Sequence, residues 1–253
     1  MTLLPHAEEY GRRSAAVGLA GLLFFLVLSG LGAWQIQRLS WKRDLIARVD
    51  AAVAATPVEA PGPAAWRLIT RSNDEYRHIR VGGVFDHGRE TLVQAVTEAG
   101  PGYWIMTPLL TDQGFRVLVN RGFVPEERGP QGSRAAGLVS GYSRVTGLLR
   151  ISEPRGGFLR ANRPGQGRWY SRDVAAIART RGLGAVAPYF IDADAAPNPG
   201  GWPRGGLTVI RFSNNHLLYA LTWFAMAAMV VIWMARTGLG ANRVFASPSG
   251  GSR

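Results

Sequence analysis

"SAAVGLAGLLFFLVLSGLGAWQIQ", residues 14–37, carries no charged side chain and is mostly apolar. A second uncharged run, LLYALTWFAMAAMVVIWMA, occupies residues 217–235. A helix that spans a bilayer needs about 20 apolar residues, so both segments are long enough to cross a membrane. The first is too long for the core of a signal peptide and has no clear A-x-A cleavage site, which predicts a retained anchor. The sequence therefore predicts a membrane protein with two transmembrane helices.

These two segments divide the chain into five parts. We predict a cytoplasmic tail over residues 1–13, a transmembrane helix over 14–37, an extracytoplasmic domain over 38–215, a second transmembrane helix over 216–235 and a cytoplasmic tail over 236–253. Long loops cross a membrane largely regardless of charge, so the positive charge of the short tails sets the orientation. We assign both tails to the cytoplasm because together they hold five basic residues against two acidic ones: Arg12, Arg13, Arg236, Arg243 and Arg253 against Glu8 and Glu9.

The basic character of the chain does not indicate a nucleic-acid-binding protein. The net charge is +12, but the 28 arginines are spread along the chain with acidic residues between them. No zinc-finger, RNP-type or basic-region pattern is present. We therefore expect the positive charge to face anionic lipid headgroups rather than nucleic acid.

The predicted domain alternates strand and turn signals. Helical spacing of Trp34, Trp41, Leu45 and Val49 first extends the anchor to about residue 55, where a proline-rich segment ends it. Segments rich in β-branched and aromatic residues follow, bounded mostly by Gly, Pro, Asp or Asn, over residues 76–86, 90–97, 102–111, 115–125 and 143–151. A short helix is predicted over residues 172–180, followed by late strands in PYFIDAD and GLTVIRF. These patterns predict an α+β membrane protein: a mainly antiparallel β domain, with one or two short helices, between two transmembrane helices.

The domain shows no pattern typical of an active site. Cysteine is absent, and no G-x-S-x-G, H-E-x-x-H, P-loop or G-x-G-x-x-G motif occurs. His78 and His87 have no third metal ligand at a recognisable spacing. Asp192 and Asp194 share one face of a strand and could bind a cation, although paired acids at a strand end are usually solvated. We therefore predict neither a catalytic site nor a metal site.

The second transmembrane segment opens with NNHLLYALTWF, residues 214–224, which allows two interpretations. On a helix, one stripe contains His216, Tyr219, Ala220, Trp223, Ala227, Val230 and Met234. In the structural interpretation, Asn214 or Asn215 caps the helix, Tyr219 and Trp223 belong to an interfacial aromatic belt, and His216 forms a hydrogen bond at the headgroup level. In the functional interpretation, the imidazole is an axial ligand of haem iron beside an apolar helix face. The residues alone leave both open.

Three motifs make the chain resemble the surfeit locus protein family, which assists the assembly of cytochrome oxidase. They are W-Q-x-x-R-x-x-W-K from Trp34 to Lys42, VNRGFVP from Val119 to Pro125, and the closing NNHLLYALTWF. GYWIMTPLL, PYFID and both transmembrane segments also follow the family's order, so the match covers nearly the whole length. The family's usual tryptophan in the second motif is Phe123 here.

This resemblance implies a non-enzymatic assembly factor for a haem-copper terminal oxidase of the respiratory chain. Such a protein would bind haem a transiently and aid its delivery to subunit I of cytochrome c oxidase, with the haem a synthesis enzymes as further partners to consider. The family's haem histidine corresponds to His216; Tyr219 and Trp223 lie on its stripe, and Arg38 and Arg211 are candidates for binding the propionates. The implied location is the bacterial inner membrane, with the domain facing the periplasm. Two alternatives stay open: a haem-free structural chaperone of an oxidase subunit, and a membrane-bound enzyme with an unrecognised site.

Overall fold

The computed structural model describes residues 5–157, 160–208 and 214–244, with side chains for residues 16–157, 160–208 and 214–237. The chain divides into a helical unit, residues 1–47 and 211–253, and a strand unit, residues 48–210. The helices are α1 (Pro5–Ala54), α2 (Arg71–Asp74), α3 (Val174–Arg181) and α4 (His216–Val244). The strands are β1 (Val58–Glu59), β2 (His78–Phe85), β3 (Thr91–Thr97), β4 (Gly100–Thr111), β5 (Arg116–Pro125), β6 (Tyr142–Ile151) and β7 (Val186–Ala193).

Two helices are long and apolar enough to cross a membrane, over Ala16–Ala54 and His216–Thr237. Their large apolar side chains are mostly exposed: Leu23 and Phe24 on α1 and Leu218 on α4 each expose about 60% of their area. A helix in the core of a soluble protein would bury these groups, whereas lipid accommodates them. The predicted fold class, an α+β membrane protein with apolar helices flanking a strand-rich domain, is confirmed.

Within the helical unit, α1 and α4 pack against each other in antiparallel orientation. The more buried positions alternate by three and four residues, at 21, 25, 28, 32 and 35 on α1 and at 216, 220, 223, 227, 230 and 234 on α4. This spacing is typical of helices in continuous side-by-side contact. Small residues bring the backbones close: a Cβ added to Gly32 would lie 2.7 Å from the Phe224 ring, and one added to Gly21 would lie 2.7 Å from the Met234 sulfur.

The strand unit is a closed barrel. The sheet order is β1-β2-β6-β7-β5-β4-β3, and β2 also pairs with β4, so five strands (β2, β6, β7, β5, β4) form a ring. The β5–β7 and β1–β2 pairs are parallel and the others are antiparallel. Closure pairs most of the sheet edges that would otherwise be open to another chain.

The barrel has apolar side chains on both faces of its central strands. The interior cluster includes Ile79, Leu109, Val117, Val119 and Ile191. A second cluster covers the outer face, where α3 packs Ile177 against Leu118 and Phe190. Because β5 alternates between the two clusters, it is buried along almost its whole length.

The predicted strands and the short helix correspond to β2–β7 and α3. Asp173 caps α3 by accepting a hydrogen bond from the Ala176 N–H, and Gly182 ends the helix in a left-handed conformation. GLTVIRF differs from the prediction: residues 206–208 form no strand, and residues 209–212 lie outside the described part of the chain.

A buried ion pair joins the residue before β3 to the segment after β5. The Arg134 guanidinium is fully buried, and it donates to the Glu90 carboxylate and to the Arg128 and Gly129 carbonyls. We expect Glu90→Leu to destabilise the protein by about 3–5 kcal/mol, because it leaves the Arg134 charge buried without a counter-ion. Chemical denaturation of the full chain in detergent, monitored by near-ultraviolet circular dichroism, measures this change.

Two controls separate that effect from generic loss of a carboxylate. Replacing both members, Glu90→Leu with Arg134→Met, should recover much of the loss because no unpaired charge remains. Glu59 pairs with Arg80 on the surface, where both side chains are more than half exposed. Glu59→Ala should therefore cost less than about 1 kcal/mol. Equal losses for Glu90→Leu and Glu59→Ala would contradict the prediction.

Candidate functional site

His216, the first residue of α4, forms a hydrogen bond with α1. Its Nδ1 lies 2.7 Å from Oε1 of Gln35. A carboxamide oxygen can only accept, so Nδ1 carries the hydrogen, and in the neutral ring Nε2 then keeps its lone pair. In the part of the chain that the structure describes, no group forms a hydrogen bond with Nε2. This tautomer is one of the two through which a neutral imidazole can bind a metal, here by Nε2.

This arrangement matches the usual surroundings of a histidine ligand. In most metal sites the second ring nitrogen donates to an oxygen, which fixes the ring and raises its basicity. Gln35 supplies that oxygen from the opposite helix. The donor set, one imidazole at the edge of an apolar helix pair, fits an axial ligand of haem iron.

Arg38 lies one turn after Gln35 on α1 and is exposed. Its guanidinium lies 4.5 Å from the centre of the Trp41 ring, in cation–π contact. Trp34 and Trp41 are each about half exposed, so this part of α1 presents two aromatic rings beside a cation. Arg211, the other predicted propionate ligand, lies outside the described residues.

The predicted stripe on α4 is present except at Tyr219. Ala220 and Ala227 are buried, and His216, Trp223, Val230 and Met234 are half-buried. Tyr219 exposes 52% of its area, because its position turns it away from the α1–α4 contact. Trp223 thus lies at the helix contact and Tyr219 at its margin.

The start of α4 does not use the predicted side-chain cap. The backbone carbonyl of Asn215 accepts the first helical hydrogen bond, from the Tyr219 N–H. Among the described residues, Oδ1 of Asn214 is buried and has no hydrogen-bond partner. The two asparagines therefore precede the helix without closing its first turn through their side chains.

The VNRGFVP motif organises the strand unit. Asn120 donates to the Asp192 carboxylate (2.8 Å) and accepts from the Gly122 N–H (3.1 Å). Gly122 has φ +124, and the backbone of Arg204 pairs with Phe123 directly beside it. Most of the motif thus has a structural role in positioning β5 against β7 and the Arg204 segment.

Asp192 is buried rather than solvated, which corrects the sequence-based expectation for its carboxylate. It accepts hydrogen bonds from Asn120, Arg150, Arg172 and Thr208 at 2.8–3.3 Å. These donors occupy the oxygen lone pairs that a cation would need.

Burial opposes charge on the neighbouring Glu153 and Arg172, but their ion pairing lowers the pKa of Glu153 and raises the pKa of Arg172.

Asp194 forms a hydrogen bond with His78, in which its carboxylate oxygen lies 2.9 Å from Nε2. Burial alone would lower the pKa of His78, but Asp194 and the Ala55 carbonyl keep it above the ordinary value. His87 contacts the Val139 carbonyl through Nε2, at 3.0 Å. Both histidines are thus used in local contacts of the strand unit.

Gln35 is the site residue to which the sequence analysis gave no role. Its sequence signals are its place in the W-Q-x-x-R-x-x-W-K motif and its position as an uncharged polar residue at the end of an apolar run. Its partner is 181 residues away in the chain, so no local pattern could have paired them.

Comparisons with known proteins agree over most of the chain. The sequence model of the SURF1 family matches residues 22–228. Surfeit locus protein 1 of Homo sapiens is 36% identical over 233 residues, which cover 85% of this chain and 75% of the relative. The corresponding protein of Mus musculus is 37% identical over 224 residues, or 82% of this chain and 71% of the relative. A SURF1-like protein of Monosiga brevicollis is 37% identical over 250 residues, or 91% and 93% of the two chains.

Proposed function

This chain belongs to the SURF1 family, as its three motifs predicted, and from that premise we propose that it is an assembly factor for a haem-copper terminal oxidase. In this proposal it binds haem a transiently and aids delivery of the haem to subunit I of cytochrome c oxidase. The protein carries and releases its cargo, and no catalytic step of its own is involved.

One observation carries the haem part of the proposal: Gln35 holds His216 with Nε2 unpartnered among the described residues. A histidine that served only as a headgroup-level hydrogen-bond donor would need no fixed tautomer. An imidazole whose ring is held by a hydrogen bond at the start of an apolar helix favours coordination of a metal in an apolar ligand.

Several other residues of the helical unit fit the same ligand. His216 would bind the iron, while Arg38 and Arg211 would pair with the propionate groups of the haem through parallel hydrogen bonds. The exposed rings of Trp34, Trp41 and Tyr219 offer apolar contact area. When bound, haem a supplies a redox-active iron for later use by the oxidase. A single histidine at an exposed helix end holds that iron by one protein bond, which the histidines of the oxidase can replace.

We further propose that the protein resides in the bacterial inner membrane with the strand unit facing the periplasm. The two apolar helices support a membrane location, and the arginines of the short tails support this orientation. Reactivity of cysteines introduced at exposed positions such as Val96 towards an impermeant thiol reagent, in intact spheroplasts, tests the orientation.

The test of the proposed function is an absorption spectrum of the full chain, purified after co-expression with the haem a synthesis enzymes and oxidase subunit I. We expect a reduced haem a band together with co-purifying subunit I. Subunit I without haem in the protein would overturn haem carriage and leave a structural chaperone. Haem without any association with subunit I would overturn the assembly role.

Gln35 gives a more specific prediction. Gln35→Leu removes the acceptor for Nδ1–H and should weaken haem affinity about 10–100-fold, the usual effect of losing an outer-shell partner of a metal ligand. Gln35→Glu keeps an acceptor and should retain haem. Haem titration of the purified variants, followed by absorbance, measures both affinities.

Gln37→Leu is the matched control, because Gln37 lies on the same helix and is exposed. It makes the same chemical change without touching His216, so wild-type affinity is expected. Unchanged haem affinity in Gln35→Leu would remove Gln35 from the site.

A further inference from the structure

The strand unit contains a small cavity that the proposed haem function does not use. Its volume is about 190 Å³, and it lies between the ends of β2, β6 and β7 and the loop after β7. The lining combines apolar and polar groups, including Phe85, Val139, Arg121, Ser143, Arg144 and Asp194. Sites for drug-sized ligands measure roughly 300–1,000 Å³, so this cavity suits a smaller molecule.

Arg121 gives the cavity its chemistry. The residue is 3% exposed, and its Nη2 donates to the Gly137 carbonyl (2.7 Å) and to Oδ1 of Asn198 (2.9 Å). The guanidinium lies 4.9 Å from the centre of the Phe85 ring. Across the described residues, Nη1 is buried without a hydrogen-bond partner and no carboxylate forms an ion pair with Arg121.

The other well-buried arginines of the unit differ on this point. Arg134 pairs with Glu90, and both Arg150 and Arg172 pair with Asp192. Burial lowers the pKa of Arg121 to about 10, so the group stays protonated at neutral pH. A buried charge without a counter-ion is unfavourable, and proteins ordinarily pair such charges. Arg121 is therefore an incomplete ion pair.

The groups around Arg121 leave the cavity positive. The charge of Glu90 raises the pKa of Arg121, but the Glu90 carboxylate is already paired with Arg134. Asp194 is the one carboxylate in the described lining, and it is bonded to His78. Arg144 adds a second cation at the wall. Ser143 contributes a second buried donor, since its Oγ has no partner among the described residues.

We propose that this cavity binds a small organic carboxylate with a short apolar chain. Arg121 Nη1 and Ser143 Oγ, which are covered and unpartnered in the described structure, turn towards the ligand and donate to its two oxygens, and Phe85 and Val139 contact the chain. One unpaired guanidinium matches a single negative charge, and the apolar lining disfavours an ion that is polar on all sides, such as phosphate. The bound carboxylate supplies the counter-ion that Arg121 lacks.

Nuclear magnetic resonance of the methyl-labelled full chain in detergent tests the proposal with butyrate as the probe. We expect saturable shifts of the Val139 and Val145 methyl signals, which line the cavity, and none at Val58, which does not. Butyramide has the same shape without the charge and should cause no saturable shift. Absence of a saturable shift with butyrate, or equal shifts with inorganic phosphate, would overturn the proposal.

Two variants assign the donors. Arg121→Lys keeps the charge but loses the forked donor geometry, and should weaken butyrate binding at least about 10-fold. Ser143→Ala removes a hydroxyl that has no partner in the described structure, so the fold should be unaffected while binding weakens about 3-fold. Ser140→Ala, at an exposed serine outside the lining, is the control and should bind as the wild type does. Wild-type butyrate binding in a correctly folded Ser143→Ala variant would remove Ser143 from the site, and wild-type binding in Arg121→Lys would overturn the proposed site.

Discussion

The His216→Ala variant is expected to lose the haem a absorption that the wild-type protein carries after co-expression with the haem a synthesis enzymes. The substitution removes the iron ligand that we propose and also the bond to Gln35. Even an outer-shell partner of a metal ligand changes affinity about 10–100-fold. Loss of the ligand itself should therefore lower haem affinity by more than about 100-fold. Haem titration of the purified apoprotein, read at the Soret band, measures the difference.

Two controls make this result specific to the imidazole. His87→Asn changes a histidine of the strand unit and should leave the haem spectrum as in the wild type. Adding free imidazole to His216→Ala should restore part of the haem signal, because it replaces the missing ligand without repairing any other contact. A His216→Ala protein that keeps a wild-type spectrum would show that the iron ligand lies elsewhere.

The Gly122→Ala variant is expected to fail to fold or to lose more than about 4 kcal/mol of stability, beyond the range of most single substitutions. Gly122 has φ +124, a conformation that side chains other than hydrogen disfavour. An added Cβ would lie 2.0 Å from the Arg204 carbonyl oxygen. That carbonyl accepts a hydrogen bond from the Phe123 N–H at 2.8 Å, so relief of the overlap breaks a backbone pairing.

Gly132→Ala is the matched control for this effect. Gly132 has no positive φ, and no heavy atom lies within 4 Å of an added Cβ. Its alanine variant should unfold within about 0.5 kcal/mol of the wild type, as is usual for a surface change. A thermal melt of each full-length variant in detergent measures both. Equal melting temperatures for the two variants would contradict the strain argument.

The elements of this fold were predictable because each has a local signal. Uncharged apolar runs mark α1 and α4, and β-branched segments between turn residues mark β2–β7. The pairing of those strands has no such signal. The parallel contact of β5 with β7 and the closure of β2 on β4 join segments far apart in sequence, and they depend on how both faces of β5 are buried.

Only part of the candidate site could be predicted from the sequence. His216 is conspicuous because an ionisable group at the edge of a membrane helix stands out by composition. The roles of Gln35 and Arg121 could not be predicted from the sequence, because they depend on which residues surround them in space. The expectation that Asp192 is solvated, which rested on its place near a strand end, was wrong. Arg150 of β6 and Arg172 of the segment before α3 both pair with its carboxylate.

The position of β7 in the ring has a consequence for how the protein is made. Among the five strands of the ring, β7 is the last to be synthesised, yet it pairs with β5 on one side and with β6 on the other. The ring therefore cannot close on the emerging chain until residue 193 has been synthesised, after all the other strands of the ring. Until then one edge of β5 and one edge of β6 remain unpaired, a state in which strands are prone to pair with wrong partners. We expect a chain stopped before residue 186 to be degraded or aggregated, and one stopped just after residue 208 to hold a closed barrel.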